Sequence, residues 1–318
     1  MTAAPRPVRR PGPGIAAWAA LPERDRGLLL WLVHGDVVTA ELAALLAHGH
    51  RRIAQRRLAR LVEYGLLTGF WAANRQRPRG RYAYALTGPV RAALERSIWP
   101  EGKPPLSDGV PEAVSPVIHG LATHDVLAAF LRAGDPGRGY GLAAWAPERP
   151  CIRLTRGGYL RPDALAVVRA GDASIVLAIE RDLGTERGPV LAAKLERYRR
   201  VYDASPARAP LHVGFVVDSG RRAASVRARL RVGEGGGAPG GSAVSAWVVA
   251  EPALAADPYG AAWTAPEGAE ARVVDFAPHW AGGPWPWLRP GDLADPAALE
   301  ALDDRVYMAI PMLAGPAR

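Results

Sequence analysis

The sequence predicts an α/β protein with a basic, mostly helical amino-terminal part and a larger part in which strands and helices mix. Helical periodicity in residues 23–64 and two apolar runs joined by a tight-turn sequence in residues 160–182 indicate these elements. The two parts of the sequence also differ in net charge. Residues 1–100 carry 16 arginines and 6 acidic residues, a net charge of +10, whereas residues 101–318 carry 24 basic and 25 acidic residues, a net charge of −1. We therefore expect the amino-terminal part to bind a polyanion.

Length and composition exclude several classes of protein. The 318 residues suffice for two domains. The single cysteine, Cys151, excludes an internal disulfide framework and a zinc site built from cysteines. No apolar run approaches the roughly 18 residues that span a membrane, and the Pro/Arg-rich start differs from a signal peptide. We therefore expect a cytoplasmic protein without a membrane partner.

The amino-terminal part is predicted to contain a basic arm and three helices. Residues 1–14, rich in proline and arginine, predict a disordered arm. A first helix is expected from about Glu23 to His34. Thr39 suits the cap of a second helix that continues through Ala47. A third helix is expected from about His50 to Tyr64, where Gly65 ends it.

The third helix has two faces of opposite character. An apolar face contains Ala54, Leu58, Leu61 and Val62, and a basic stripe on the other side contains Arg52, Arg56 and Arg60. Like charges at a spacing of four cost a few tenths of a kcal/mol per pair, so the stripe is unfavourable without nearby anions. A solvated arginine face is the alternative interpretation.

A hairpin is predicted next, with strands at residues 66–71 and 81–86. Its tip contains Arg75, Arg77 and Arg79, and a further helix follows from Pro89 to Arg96. Three helices followed by such a hairpin resemble a winged helix-turn-helix over residues 15–97. The resemblance implies that the third helix docks in the major groove of double-stranded DNA while the tip arginines follow the phosphates. A winged helix that binds only protein is the alternative.

Residues 98–114 are predicted to be a linker, because their composition is rich in proline and polar residues. The second domain is predicted over residues 115–318 and begins with a helix from Ser115 to Arg132. We expect His119 and His124 on this helix to cap or pack, since histidines five residues apart diverge on a helix. A strand is expected over residues 141–146.

The hairpin of residues 160–182 brings two carboxylates together. If Gly171 and Asp172 are the central turn residues, Asp163 lies opposite Glu180. Opposed side chains are roughly 5 Å apart at Cβ, and two carboxylates there repel. A raised pKa, a basic neighbour or a bound cation must offset this, and Mg²⁺ suits two carboxylates and water. A strand-entering Asp163 and a solvated Glu180 are the alternatives.

Two further residues are candidates for this site. Asp182 points to the same face as Glu180 and lies opposite Arg161, so a cross-strand ion pair and a metal role are both open. Lys194 flanks the packing face of the next helix, which contains Leu191, Leu195, Tyr198 and Tyr202. The chain has 38 arginines and two lysines, so a lysine here indicates a need for a compact ammonium, with chance retention as the alternative.

Pro-Asp, an acidic strand end and a nearby lysine resemble the PD-(D/E)xK nuclease superfamily. More narrowly, Arg-Pro-Asp-Ala with Glu-Arg-Asp-Leu-Gly-Thr-Glu and Lys-Leu-Glu-Arg-Tyr resembles the replication-relaxation family of actinobacterial plasmids and mobile elements. The resemblance implies a restriction-endonuclease-like α/β domain with a mixed sheet. Asp163 and Glu180 would hold Mg²⁺, Asp182 would assist, and Lys194 would position water. Glu180-x-Asp182 replaces the superfamily's Glu-x-Lys, so the lysine would have to come from the helix.

The remaining elements are predicted as strands at residues 211–217 and 243–249, with a basic helix at residues 221–231 between them. We expect an antiparallel core of strands. Residues 253–290 are rich in tryptophan and proline and are predicted to cover the sheet.

Together these features predict a DNA-binding protein of the replication-relaxation type. The resemblance implies work in plasmid or mobile-element relaxation, replication or transfer, with a relaxase or replication protein as an expected partner. We expect the nuclease-like domain to be weakly active or inactive. An active Mg-dependent endonuclease or nickase is one alternative, and a winged-helix transcription regulator is another.

Overall fold

The computed structural model describes residues 14–73, 80–98, 114–148, 160–184, 188–203, 210–233, 244–260 and 262–276. They form two groups of helices and strands with a three-stranded and a seven-stranded sheet. The predicted α/β class with a mixed sheet is therefore confirmed. The division into residues 15–97 and 115–318 stays a prediction, and most of the predicted linker lies outside the described residues.

The amino-terminal group has the predicted three helices, hairpin and further helix, with an additional short strand between the first two helices. Its elements are α1 (Glu23–Gly35), β1 (Val37–Val38), α2 (Ala40–Ala43), α3 (Arg51–Glu63), β2 (Leu67–Ala72), β3 (Arg81–Leu86) and α4 (Gly88–Ile98). Thr39 caps α2 as predicted, because its Oγ1 accepts a hydrogen bond from the Leu42 amide at 3.3 Å. A π-helical turn at Ala44–His48 continues α2. The strands pair antiparallel in the order β1-β3-β2.

The second group is built around the seven-stranded sheet, in the order β10-β9-β8-β7-β6-β5-β4. Its elements are α5 (Val114–Ala133), β4 (Tyr140–Pro147), β5 (Ala164–Ala170), β6 (Ala173–Asp182), α6 (Gly188–Asp203), β7 (Leu211–Val217), α7 (Gly220–Gly233), β8 (Val244–Ala250), α8 (Glu251–Ala256), β9 (Trp263–Thr264) and β10 (Glu270–Ala271).

The register of the central hairpin agrees with the sequence prediction. Ala170 pairs with Ala173 and Ala164 with Ile179, and Gly171 takes a positive φ of 58° in the turn. Asp163 lies one residue before this ladder, and its amide donates a hydrogen bond to the Ile179 carbonyl at 3.0 Å. The prediction of an antiparallel core is wrong in part, because β6, β7 and β8 pair in parallel. Helices α6 and α7 provide the crossover connections that parallel neighbours require.

Helix α5 connects the two groups by packing against the small sheet. Val117, Ile118 and Leu121 of α5 form a buried cluster with Val37 and Ala83 of β1 and β3. A hydrogen-bonded ion pair between Arg81 Nη1 and Asp125 Oδ1 at 2.5 Å lies in the same contact. The β2–β3 hairpin is thus held to the helix that opens the second group.

The tryptophan-rich region covers part of the large sheet, as far as it is described. Trp263 is fully buried, and a Cβ placed on Gly214 of β7 would come within 2.8 Å of its ring. Only glycine therefore permits this approach. Trp280, Trp285 and Trp287 lie outside the described residues. Among the helices of the described residues, none combines the length and hydrophobicity needed to cross a membrane.

Candidate nucleic-acid interface and buried carboxylate cluster

Helix α3 forms one candidate site because its sequence separates an apolar face from a basic one. His50 caps its start, with Nδ1 accepting a hydrogen bond from the Arg52 amide at 3.2 Å. Ala54, Leu58 and Leu61 are buried in the core. These residues fix which side of the helix faces outward.

The arginines of α3 differ in their partners. Arg57 forms an ion pair and hydrogen bond with the buried Asp25 of α1, and Arg51 lies 2.7 Å from Glu41. These two arginines therefore form ion pairs within the protein.

The predicted stripe is exposed, since Arg52, Arg56 and Arg60 all lie on the outer side of α3. Within the described part of the chain, Arg52 and Arg56 make no side-chain hydrogen bond or ion pair. Arg60 donates a hydrogen bond from Nε to the Tyr64 hydroxyl at 2.8 Å and lies over that ring at 5.5 Å. All three guanidinium groups therefore remain available to an external anion. The tip arginines Arg75, Arg77 and Arg79 lie outside the described residues.

The second candidate site is a buried carboxylate cluster at the end of the β5–β6 hairpin. Asp163 Oδ2 accepts a hydrogen bond from the Arg181 amide at 2.6 Å, and its Oδ1 lies 2.8 Å from His119 Nε2. These two bonds tie the start of β5 to β6 and to α5. They hold the carboxylate near Glu180, whose pKa the charge of Asp163 helps to raise.

Glu180 is 3% exposed and is bonded to α6 at both oxygens. Tyr198 donates to Oε1 at 2.6 Å, and Lys194 Nζ donates to Oε2 at 3.0 Å. Burial and the charge of Asp163 raise the pKa of Glu180 to about 7, although Lys194 and Tyr198 oppose the rise. The structure thus brings Asp163, Glu180 and Lys194 together.

Asp182 does not join this cluster, and its predicted cross-strand pair with Arg161 is wrong. Its Oδ2 accepts a hydrogen bond from Arg222 Nε of α7 at 2.7 Å, and its Oδ1 accepts one from the Gly184 amide at 2.8 Å. Arg161 instead bonds Glu148. The reason is that β5 begins only at Ala164, so Arg161 precedes the strand and is not held opposite Asp182.

His119 is a member of the cluster that sequence reasoning missed, having expected capping or packing. Burial lowers its pKa, but the hydrogen bond and charge of Asp163 outweigh burial and raise the pKa above its ordinary value. No spacing in the sequence indicates this contact, because it joins α5 to the hairpin through tertiary structure. His124 does pack as predicted. It lies 4.9 Å from the Trp31 ring, and burial and the charge of Arg81 lower its pKa to about 3.

Asp163 and Glu180 are suited to hold a magnesium ion only if water supplies most of its ligands. Each oxygen of Asp163 and Glu180 accepts one bond from the protein, which leaves lone-pair capacity on each. Burial and the charge of Asp163 both raise the pKa of Glu180, and a cation bound by the two carboxylates would offset these effects. In the described ranges no three or more His, Cys, Asp or Glu side chains are grouped to hold a metal. Water would have to supply the other ligands.

Both candidate sites fall within a segment that matches a known family. The model of a family described as Replication-relaxation matches residues 30–215, more than half of the chain. This segment contains α3, the β5–β6 hairpin and α6. No curated protein and no solved structure matches the chain.

Proposed function

Because the chain belongs to the replication-relaxation family, which supports a role related to replication or relaxation, we propose that it acts by binding duplex DNA. The DNA would belong to a plasmid or mobile element undergoing relaxation, replication or transfer, and a relaxase or replication protein would be the partner. One observation carries the proposal: Arg52, Arg56 and Arg60 form an exposed stripe, while Arg51 and Arg57 on the same helix pair with carboxylates.

The arrangement around α3 supports docking of this helix in the major groove. The order α1-β1-α2-α3-β2-β3, with antiparallel strands in the order β1-β3-β2, suits a winged helix-turn-helix. In such a module the helix before the hairpin enters the groove and other groups fix its position on phosphates. Arg75, Arg77 and Arg79 of the hairpin tip would contribute phosphate contacts.

Removal of the stripe tests this proposal. The triple variant Arg52→Ala, Arg56→Ala, Arg60→Ala should bind a labelled duplex of mixed sequence about 100-fold more weakly at low salt. The slope of log affinity against log salt should fall by about 2 to 3, because roughly one counterion is released per phosphate contact. Fluorescence anisotropy across a salt series measures both quantities.

A second triple variant is the matched control. Arg221, Arg229 and Arg231 are exposed arginines of α7, so replacing them by alanine removes the same net charge. We expect this variant to bind DNA almost as the wild type does. Equal losses from the two variants would mean that overall charge, and not the α3 stripe, governs binding.

A second candidate function, Mg-dependent cutting of DNA, is favoured by the contact between Lys194 and Glu180. Asp163 and Glu180 would hold Mg²⁺, which would supply Lewis-acid activation of a phosphodiester. Lys194 would bring a compact ammonium to the scissile phosphate or the attacking water. Asp182 would act only by positioning, because its carboxylate is bonded to Arg222 and to the Gly184 amide and not to the residues around Asp163 and Glu180.

The variant Lys194→Arg tests whether the second domain is a nuclease that uses Lys194 or a non-catalytic scaffold. With supercoiled plasmid and Mg²⁺ or Mn²⁺, a cutting wild type should lose activity in the variant while DNA binding persists, since a planar guanidinium cannot take the place of an ammonium. An equally active variant would exclude Lys194 from catalysis. A wild type that cuts with neither metal would favour the scaffold, and this is the outcome we expect because Glu180-x-Asp182 lacks the usual lysine.

A further inference from the structure

Two aromatic rings lie side by side on the surface of the β2–β3 hairpin. Trp71 is 61% exposed and Tyr82 is 49% exposed. The two residues are direct cross-strand partners, and their ring centroids are 6.3 Å apart. In the described part of the chain these are the two aromatic residues among the exposed large hydrophobic side chains.

The core does not explain this exposure. The other face of the hairpin is covered, because Ala72 and Ala83 lie against Val117, Ile118 and Leu121 of α5. On the same face as Tyr82, Tyr84 is buried in the core. Trp71 and Tyr82 therefore extend this face beyond the edge of the core, toward the hairpin tip. A cross-strand pair stabilises a hairpin, but that role does not require two rings of this size to face water.

Two glycines leave room for the rings. A Cβ on Gly69 would come within 2.6 Å of the Tyr82 hydroxyl, and a Cβ on Gly80 would collide with Trp71 Nε1. Gly80 also has a positive φ of 53°, which side chains rarely adopt. The backbone beside each ring thus lacks the side chain that would displace it.

We propose that Trp71 and Tyr82 form a stacking site for unpaired bases of DNA. This proposal rests on the proposed DNA-binding function and adds single-stranded DNA to its ligands. Aromatic rings in a positively charged setting bind single strands, because every base has a face on which a ring can stack. Charge complementarity supports this occupant, since residues 1–100 carry a net charge of +10 from 16 arginines and 6 acidic residues.

Unpaired bases are favoured over duplex because neighbouring base pairs cover the base faces inside a duplex. With α3 on a duplex, the rings of the adjacent hairpin would meet bases that have left the helix. The protein would then bind best where duplex and single-stranded DNA adjoin. Such junctions arise whenever strands separate.

The test compares two probes: a blunt duplex and the same duplex with a single-stranded extension. Wild-type protein should bind the extended probe about tenfold more tightly, which corresponds to stacking on one base. The double variant Trp71→Leu, Tyr82→Leu keeps apolar side chains in the strands but removes the rings. It should lose this preference and keep its affinity for the blunt duplex.

A conservative variant and a folding measurement keep the test decisive. Trp71→Phe, Tyr82→Phe retains aromatic rings and should retain most of the preference. Thermal unfolding of all variants identifies loss of the hairpin, and a leucine variant that unfolds early is replaced in the comparison by the single change Tyr82→Leu, which should reduce the preference in part.

Three results would overturn the proposal. The wild type could bind duplex without any preference for the extended probe, or the leucine variant could keep the preference. Sedimentation could show that the wild type self-associates and the leucine variant does not, which would assign the rings to a second copy of the chain. Absence of binding to either probe would instead contradict the proposed DNA-binding function itself.

Discussion

The arginine stripe of α3 is exposed, whereas the charged side chains at the end of the β5–β6 hairpin are buried and paired. Arg52 and Arg56 are exposed and have no acidic partner within the described residues. Glu180 and Asp182 are 3% and 2% exposed, and each is bonded to a basic side chain. Buried charges must be paired inside the protein, whereas exposed like charges gain most from a partner outside it. The contrast separates residues that serve the fold from residues available for binding.

The same contrast exists between neighbours on α3. Arg56 is exposed, and Arg57 bonds the buried Asp25. Residue type and helix are identical, so only the partner differs. Substitutions at the end of the hairpin and on α3 test whether a missing acidic partner distinguishes an arginine that binds from one that serves the fold.

Of the stability changes predicted for single substitutions, we expect a large one when Asp182 loses its partner Arg222. Arg222→Ala should lower the free energy of unfolding by about 3 to 5 kcal/mol, because a buried carboxylate would lose its charged partner. Urea unfolding followed by circular dichroism measures this loss. The exposed neighbour Arg221→Ala is the control and should change the free energy by less than about 0.5 kcal/mol. Similar values for both would mean that the ion pair contributes little.

A smaller effect is expected from the titration of Glu180. Its pKa is raised from 4.5 to about 7, so between these values the folded protein holds a proton that the unfolded chain has released. The free energy of unfolding should therefore fall as pH rises through this window, by on the order of 3 kcal/mol, since each unit of pKa shift corresponds to about 1.4 kcal/mol. Glu180→Gln should remove this part of the dependence, as measured by urea unfolding at several pH values.

Neighbouring groups make the pH experiment specific. Asp163 and Lys194 face Glu180, and His119, whose pKa is also raised, contributes a fall in stability in the same direction. Asp163→Asn removes the charge that helps to raise the pKa of Glu180, so the window should move to lower pH. An unchanged slope in Glu180→Gln would assign the dependence to Glu148, whose pKa is raised from 4.5 by burial and by the charge of Asp163, and above pH 6.5 to His119.

How far the sequence predicted these sites depends on whether the contacts are local. The Gly-Asp turn and the two-residue period of a strand were sufficient to predict that Asp163 lies near Glu180, and the 3.6-residue period placed Lys194 beside the packing face. The stripe of α3 was visible for the same reason. In each case one element, or one hairpin, contained all the necessary information.

Contacts between distant elements were not predictable in this way. His119 reaches Asp163 from α5, and Arg222 reaches Asp182 from α7. The hairpin register suggested Arg161 for Asp182 because it describes only cross-strand neighbours. Strand orientation was missed for a related reason, since a short apolar run such as residues 211–217 has the same pattern in parallel and antiparallel sheets.

The smallest expected effect has the opposite sign. Arg56 has a like charge four residues away on each side, in Arg52 and Arg60. Arg56→Ala should therefore raise the free energy of unfolding by about 0.5 kcal/mol, since it removes two repulsions of a few tenths each and introduces the best helix former. The same variant should weaken DNA binding, so stability and binding should change in opposite directions.

Arg57→Ala is the control for this variant, because it removes an arginine from the next position of the same helix. It should lower the free energy of unfolding by several kcal/mol, since Asp25 would remain buried without its cation. Its DNA affinity should change little once folding is accounted for. If Arg56→Ala instead destabilised the protein as much as Arg57→Ala, the stripe would serve the fold, and exposure without an acidic partner would no longer distinguish a binding residue on this helix. A gain in stability accompanied by a loss of DNA affinity would mean that Arg56 lowers the stability of its own helix, partly through repulsion from Arg52 and Arg60, and contributes instead to binding an anion outside the protein.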